Sequence, residues 1–188
     1  MRRLFLAALA CFLLAAPWAL AQEPGGPESG PDLGDLSRLA EKGDYEATYE
    51  LALRCYLGSE EERDPARAYG LARPLAEGGD PFFQFLVGDM FATGEGVGQD
   101  HVEAARWLAL SAGQGQPEAQ YGLGLLYEEG RGVGQDLSQA LRLYRLSAEQ
   151  GYPEALFRLG DMYENGQGVA RDSAEAEKWF RLAEEGGS

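Results

Sequence analysis

Cysteine and histidine are nearly absent from this chain of 188 residues, which contains two cysteines and a single histidine. Cys11 lies in an apolar segment at the N-terminus, so Cys55 is the one cysteine that a processed chain would keep. One cysteine cannot form an intramolecular disulfide, and we expect Cys55 to be buried as a small apolar residue. His101 has no cysteine or serine partner at a recurring position. The composition therefore excludes a disulfide-stapled fold and indicates no catalytic pair that includes histidine.

Basic residues are also scarce. The chain has 16 lysines and arginines against 31 aspartates and glutamates, which gives a formal net charge of −15. A strongly acidic chain argues against binding to nucleic acid and to anionic membrane surfaces. Two interpretations of the charge stay open: it keeps the protein soluble in a crowded compartment, or it attracts a basic partner from a distance.

A strong hydrophobic run occurs only at the N-terminus, over residues 4–16, directly after two arginines. The small residues of Ala19-Leu20-Ala21 follow it. This order predicts a signal peptide over residues 1–21, because the run is too short to span a bilayer comfortably. Cleavage removes two arginines and no acid, so the formal charge goes from −15 to −17. Export by the twin-arginine route and lipidation of Cys11 stay open as alternatives to simple cleavage.

The signal peptide predicts an exported protein, in the bacterial periplasm or secreted, with no membrane insertion after cleavage. Residues 22–35 read QEPGGPESGPDLGD and contain almost no apolar side chain that could offset the entropy of ordering. We therefore expect residues 22–35 to form a flexible tether. Residues 36–42 are expected to add a helical stub to the repeats that follow, so that the domain covers residues 36–188.

The rest of the chain repeats itself every 36 residues without insertion or deletion. Four rows follow, over about residues 43–78, 79–114, 115–150 and 151–186. Such self-similarity indicates one supersecondary unit that is copied and buries its apolar face against its neighbours. The glycines that mark the spacing are Gly43, Gly79, Gly115, Gly151 and Gly187.

Each row predicts two helices. In row three, helix A is bounded by Pro117 at its first turn and Gly130 after its last, and helix B begins at Asp136. Proline at the first helical position and glycine after the last turn are typical helix boundaries. Asp136 and Gln139 have the spacing of a capping box, in which each residue bonds to the backbone of the other's turn. The matching positions are Pro81, Gly94, Asp100 and Glu103 in row two, and Pro153, Gly166, Asp172 and Glu175 in row four.

Glycine also recurs inside helix A, at Gly88, Gly124 and Gly160. Glycine costs up to about 1 kcal/mol relative to alanine within a helix. Its recurrence therefore predicts a steric need, which we expect to be contact between two helix backbones. Between the helices, a Gly-Val pair recurs in each turn, and we expect the valine to fill the gap between helices A and B.

The pattern resembles the Sel1-like repeat family, relatives of the tetratricopeptide repeat. This resemblance implies an all-α fold, an α-solenoid of antiparallel helix pairs in which four 36-residue repeats form a right-handed superhelix. Row one departs from the pattern at residues 59–62, where the turn is lost, and at Pro74, which is expected to interrupt its helix B. The residues that carry the resemblance in row three are Ala119, Leu123-Gly124, Tyr127, Gly130, Gly132-Val133, Asp136, Ala140, Tyr144 and Ala148-Glu149-Gln150-Gly151.

No catalytic, cofactor or metal site is predicted. Residues 161–172 partly match a calcium-binding EF-hand loop, but Tyr163 stands at the third position and Asp172 replaces the bidentate glutamate. Some cysteine-rich relatives in the family are associated with penicillin binding or hydrolysis, and this chain lacks their cysteines and a Ser-x-x-Lys motif. The carboxylates are expected to be helix caps or solvated residues.

One stripe of helix A changes character from row to row, whereas the packed columns repeat. In solenoids of this type the first helix usually lines the concave side, so the stripe predicts a groove for a partner. The alternative is that these side chains only face solvent, and that Phe82 and Leu86 seal row one. The predicted partner-binding residues are Phe82, Leu86, Asp89, Leu125, Arg158 and Asp161.

A second candidate surface is the last repeat, where Trp179 and Phe180 are expected to be partly exposed and to allow self-association. From these features we expect an exported module that binds a protein or peptide on its concave face and catalyses nothing. Two alternatives stay open. One is a protein that binds or hydrolyses β-lactams or peptidoglycan fragments, and the other is a structural subunit of an envelope assembly.

Overall fold

The computed structural model describes residues 31–186. The chain divides into two compact units, and the boundary in the sequence falls between Asp64 and Pro65. The predicted signal peptide, Cys11 and most of the predicted tether lie outside the described residues. Residues 31–186 form nine α-helices and no strand. The helices are α1 (Leu33–Glu41), α2 (Tyr45–Leu57), α3 (Pro65–Glu77), α4 (Pro81–Thr93), α5 (His101–Gly113), α6 (Pro117–Glu129), α7 (Leu137–Ala148), α8 (Pro153–Asn165) and α9 (Ser173–Gly186).

The first unit contains α1 and α2, which pack on each other. Helix α1 begins at Leu33, so the expectation that the tether reaches residue 35 is wrong at its end. The reason is a helix cap: the side chain of Asp32 accepts a hydrogen bond from the backbone N–H of Asp35. In α2, Cys55 is 1% exposed, which confirms its predicted burial.

The second unit contains α3 to α9, and within it each pair of consecutive helices packs together. Helices α4 and α6, the A helices of rows two and three, also touch each other. Helix α3 runs unbroken through Pro74, so the predicted interruption of row one's helix B is wrong. The unit boundary falls inside row one, and a single domain over residues 36–188 stays a prediction.

The predicted helix ends are confirmed, and the three glycines after the A helices have left-handed φ angles of 78°, 68° and 69°. Only one of the two parts of the predicted capping box forms, the one in which the aspartate side chain accepts hydrogen bonds. Asp100 accepts from the N–H groups of Val102 and Glu103, but its own N–H donates to the carbonyl oxygen of Phe91 at 2.9 Å. Glu103 instead forms an ion pair with Arg106 at 3.3 Å.

The glycines inside helix A make room for large side chains of helix B, and the expected contact between backbones is not the main one. A Cβ at Gly124 would lie 2.6 Å from the Tyr144 ring, and one at Gly160 would collide with the Phe180 ring. At Gly88 the nearest atom is in the Leu108 side chain, at 2.9 Å. The repeated glycine therefore leaves the space that a bulky side chain of helix B occupies.

Buried polar side chains link the central repeats. Gln120 is 5% exposed, and its amide donates to the carbonyl oxygen of Ala112 in the preceding helix at 3.4 Å. Gln150 donates to the side-chain oxygen of Gln120 at 2.8 Å. Gln84 and Gln114 form the same pair one row earlier, also at 2.8 Å. Row four carries Leu156 where these rows carry the buried glutamine, so the polar link belongs to the interior of the array.

We expect Gln120→Leu to lower the free energy of unfolding by about 1 kcal/mol, because it removes the two hydrogen bonds of this buried amide, one to the carbonyl oxygen of Ala112 and one from Gln150. Urea unfolding followed by circular dichroism measures this change. The exposed Gln167 is the control, and Gln167→Leu should change stability by less than about 0.5 kcal/mol. Equal costs for the two substitutions would contradict a structural role for the buried link.

Candidate functional site

The helix-A face is the side of α4, α6 and α8 that carries the variable stripe, at positions 82, 86, 89 and 93 and at the equivalent positions of rows three and four. Its half-buried acidic residues are Asp89, Glu118, Glu154 and Asp161. Glu118 and Glu154 lie in the first turns of α6 and α8, where a negative charge is stabilised by the helix dipole. Leu125 is also half-buried and contributes an apolar side chain.

An ion pair joins α6 to α8 across two repeats. Arg158 donates two hydrogen bonds to Glu128, at 3.0 and 2.6 Å, and the Tyr144 hydroxyl donates to the same carboxylate at 2.7 Å. The Glu128 side chain is 11% exposed and that of Arg158 is 35% exposed. Burial opposes the charge on Arg158, but the hydrogen bonds to Glu128 leave its pKa raised overall. Asp161 lies 3.7 Å from the same guanidinium group.

Three tyrosines pack beside this network. The Tyr121 ring lies 5.3 Å from Tyr144 and 5.4 Å from Tyr152, between ring centroids. Burial raises the pKa of Tyr121 to about 12. Burial and the hydrogen bond to Glu128 raise the pKa of Tyr144, while burial and the charge of Glu154 raise that of Tyr152. All three hydroxyls therefore stay protonated at neutral pH and can donate hydrogen bonds.

Two polar atoms at this site have no hydrogen-bond partner among residues 31–186. They are the hydroxyl oxygen of Tyr152 and the Oε2 atom of Glu154, and both are buried. Burial raises the pKa of Glu154, and the nearby charge of Glu118 raises it further, whereas a backbone hydrogen bond lowers it. Buried polar groups without a partner are uncommon in folded proteins, so these two atoms mark a place where a further group can bind.

Two of the predicted partner-binding residues, Arg158 and Asp161, lie close together on α8. Three others, Phe82, Asp89 and Leu125, are half-buried. Leu86 is only 1% exposed, so the expectation that it contacts a partner directly is wrong. Leu86 is a core residue, which agrees with the alternative interpretation that it seals row one.

The last repeat also differs from expectation. Trp179 is 8% exposed, so its predicted exposure is wrong, while Phe180 is half-buried and fills the space beside Gly160. Phe157 stands in the same column as Phe85 and Tyr121, which are buried, but it is 49% exposed. Its ring lies 6.4 Å from that of Phe180. The apolar surface of the last repeat is therefore centred on Phe157 and not on Trp179.

Sequence reasoning missed Tyr152, Glu128 and Tyr144 as parts of the site. Tyr144 belongs to the repeat pattern, which gives no sign of its hydrogen bond to Glu128. Tyr152 stands where rows one and two have aspartate and row three has glutamine, so a bulky residue at a helix-capping position was the available signal. For Glu128 the signal was a charged residue at a position where row one has Tyr56 and row two has Ala92.

The residues that were weighed for catalysis or metal binding have other roles. His101 lies half-buried at the start of α5, and its Nδ1 atom finds no hydrogen-bond partner within residues 31–186. Asp161 belongs to α8, and Asp172 accepts hydrogen bonds at the start of α9. Residues 31–186 contain no group of three or more histidine, cysteine or acidic side chains placed to hold a metal ion.

These stacked helix pairs define an α-solenoid built from four repeats. The family model for the Sel1 repeat matches residues 46–80, 81–116, 117–152 and 153–188. The chain therefore belongs to the Sel1 repeat family. Sel1 repeat proteins generally mediate protein–protein interaction, and the family is typically not enzymatic. No curated protein matches the chain in sequence.

The solved structures that are similar to this chain include two bacterial proteins. One is c5321, a protective antigen present in uropathogenic Escherichia coli strains, with 36% identity and a TM-score of 0.76 over 85% of this chain and 34% of that protein. The other is a Sel1 repeat protein from Oxalobacter formigenes, with 27% identity and a TM-score of 0.75 over 82% of this chain and 62% of that protein. The chain thus spans about a third of the first structure and less than two thirds of the second. Across residues 31–186, every helix is too short or too polar to cross a membrane.

Proposed function

We propose that this chain is an exported interaction module that binds a protein or peptide on the concave side of its solenoid, through the helix-A face, and that it catalyses no reaction. Membership of the Sel1 repeat family supports an interaction role. The N-terminal segment of residues 1–21, which lies outside the described residues, supports export through its signal-peptide pattern.

One observation supports the choice of the helix-A face as the binding surface. At the helix-A face, Tyr152 and Glu154 keep buried polar atoms without a hydrogen-bond partner among the described residues, next to the variable stripe. A bound polypeptide would supply the missing hydrogen bonds and cover the half-buried Leu125. Because the face is held by packed helices, a partner would bind at a low entropic cost of ordering this protein.

Self-association is a second candidate function, and Phe157 is the observation that favours it. This side chain is 49% exposed, although its equivalents in rows two and three are 6% and 7% exposed. Leu182 adds a further exposed apolar side chain on the neighbouring α9, at 40%. Large apolar side chains left exposed in this way can mark a contact surface.

Capture of a partner from an envelope extract tests the proposed face. Leu125→Asp should reduce capture at least about tenfold, because it puts a charge where an apolar contact is expected. Gly122→Arg is the second variant, since a Cβ at Gly122 meets only ordinary contacts of 3.4 Å and 3.5 Å with Leu108 and the long side chain would block the face. Leu86 is unsuitable for this test because it is buried.

The control is Leu146→Asp, which changes a leucine that is 39% exposed on α7. Each variant is first shown by circular dichroism to keep its helix content. We expect Leu146→Asp to capture as well as the unmodified protein. Equal capture by all three variants would contradict the helix-A face, and self-association is tested separately by the mass in solution of Phe157→Ser.

A further inference from the structure

Acidic side chains on three successive A helices lie near one buried hydroxyl group, that of Tyr152, which immediately precedes α8 and is 7% exposed. These side chains are Glu154 on α8, Glu118 on α6 and Asp89 on α4. Burial raises the pKa of Tyr152, and the charges of the three carboxylates raise it further. The hydroxyl group is more than nine-tenths buried, and its oxygen has no hydrogen-bond partner within residues 31–186.

The hydrogen bonds that this cluster lacks are those a cation would make. The Tyr152 hydroxyl and Glu154 Oε2 have no hydrogen-bond partner within residues 31–186. Both oxygens can accept a hydrogen bond, and an ammonium or guanidinium group offers several donors at once. The nearby Arg158 does not fill this role, because it donates to Glu128 and lies 3.7 Å from Asp161.

The charges also select the class of ligand. Three nearby carboxylates repel an anion, and an apolar group would leave the buried oxygens unpaired. A bare metal ion is disfavoured, because within residues 31–186 these carboxylates do not lie close enough together to hold one. The formal charge of −15 adds a long-range attraction for a basic segment.

We propose that Asp89, Glu118, Tyr152 and Glu154 form a subsite for a lysine or arginine side chain of the bound polypeptide. This inference rests on the proposed function of the helix-A face. It assigns the partner a basic residue, inserted between the first turns of α6 and α8. The aromatic ring of Tyr121, 5.4 Å from that of Tyr152, forms an apolar wall against which the aliphatic part of such a side chain can pack.

Selection from a random linear peptide library on the intact protein tests this subsite. We expect the selected peptides to share a lysine or arginine at one position. The double variant Glu118→Gln with Glu154→Gln should bind a selected peptide about tenfold more weakly, because the charge-assisted hydrogen bonds are lost. Replacing the shared basic residue of the peptide by glutamine should weaken binding by a similar factor, and the two changes together should cost little more than either alone.

Two further variants control this result. Glu164→Gln with Glu177→Gln removes the same charge from exposed positions and should leave the affinity unchanged within about twofold. Tyr152→Phe removes only the hydroxyl group and should weaken binding without loss of helix content. Selected peptides without a shared basic residue, or an affinity that the double variant leaves unchanged, would overturn the subsite while leaving the helix-A face in place. Selection of no peptide would contradict the proposed function and the subsite with it.

Discussion

Replacing Gly132 by alanine is expected to lower the free energy of unfolding by about 3 kcal/mol. Gly132 lies in the turn between α6 and α7 with a φ angle of 71°. A Cβ in this place would collide with the carbonyl oxygen of His101 at the start of α5. The strain therefore comes both from the backbone conformation and from contact with the preceding repeat, which is rigidly packed. Urea unfolding followed by circular dichroism measures the loss.

Gly134→Ala is the matched control for this prediction. Gly134 lies two residues further along the same turn, its φ angle is not in the left-handed region, and a Cβ there would meet no atom within 4 Å. We expect Gly134→Ala to change stability by no more than about 0.5 kcal/mol, or to raise it slightly. If both variants were equally stable, the turn would not be in contact with the repeat before it.

Arg158→Ala is expected to destabilise the fold by about 2 kcal/mol, because it leaves the buried carboxylate of Glu128 without its cation. Glu128 keeps one hydrogen bond from Tyr144 in this variant, so the loss is smaller than for a fully isolated charge. The double variant Arg158→Ala with Glu128→Gln should recover part of the loss, since it removes the unpaired charge. Denaturant unfolding of the three proteins measures the coupling.

An exposed ion pair supplies the control for Arg158. The side chains of Arg106 and Glu103, 3.3 Å apart on α5, are 65% and 37% exposed. Arg106→Ala should change stability by about 0.5 kcal/mol or less, because exposed pairs contribute little. A loss as large as that of Arg158→Ala would show that burial does not decide the difference between the two pairs.

Local sequence patterns predicted the helix boundaries well, because the conformational and capping preferences of single residues decide where a helix begins and ends. Pro117 and Gly130 bound α6 where expected, and Asp136 caps α7. The second half of the capping box was wrong for a reason that lies outside the local sequence. The N–H of Asp136 is already bonded to the carbonyl oxygen of Tyr127, in the preceding helix, so Gln139 has no donor to accept from there.

Repetition in the sequence also identified the positions that pack, but not the atoms that they contact. The recurring glycines of helix A were correctly assigned a steric role. Their contacts proved to be the rings of Tyr144 and Phe180 at Gly124 and Gly160, because a glycine leaves space that any neighbouring group can take. A recurring glycine in the sequence indicates that space is needed beside the helix, but it does not identify the side chain that occupies that space.

The candidate site could be predicted only in part. Helical periodicity placed Asp89, Glu118 and Glu154 on one stripe, and the structure shows that the charges of all three act on Tyr152. It also placed Leu86 on that stripe, although this side chain is buried. Periodicity gives the side of a helix on which a residue lies, whereas burial depends on the neighbours that cover that side.

Site-directed photocrosslinking tests the central claim most directly, namely that a polypeptide binds on the helix-A face. A photoreactive amino acid is placed at position 125 on α6, or at position 110 on α5, where Leu110 is 46% exposed. Each labelled protein is irradiated in an envelope extract, and the crosslinked products are compared. We predict a discrete crosslinked partner from position 125 and none from position 110. A partner crosslinked from position 110 and not from position 125 would contradict the account.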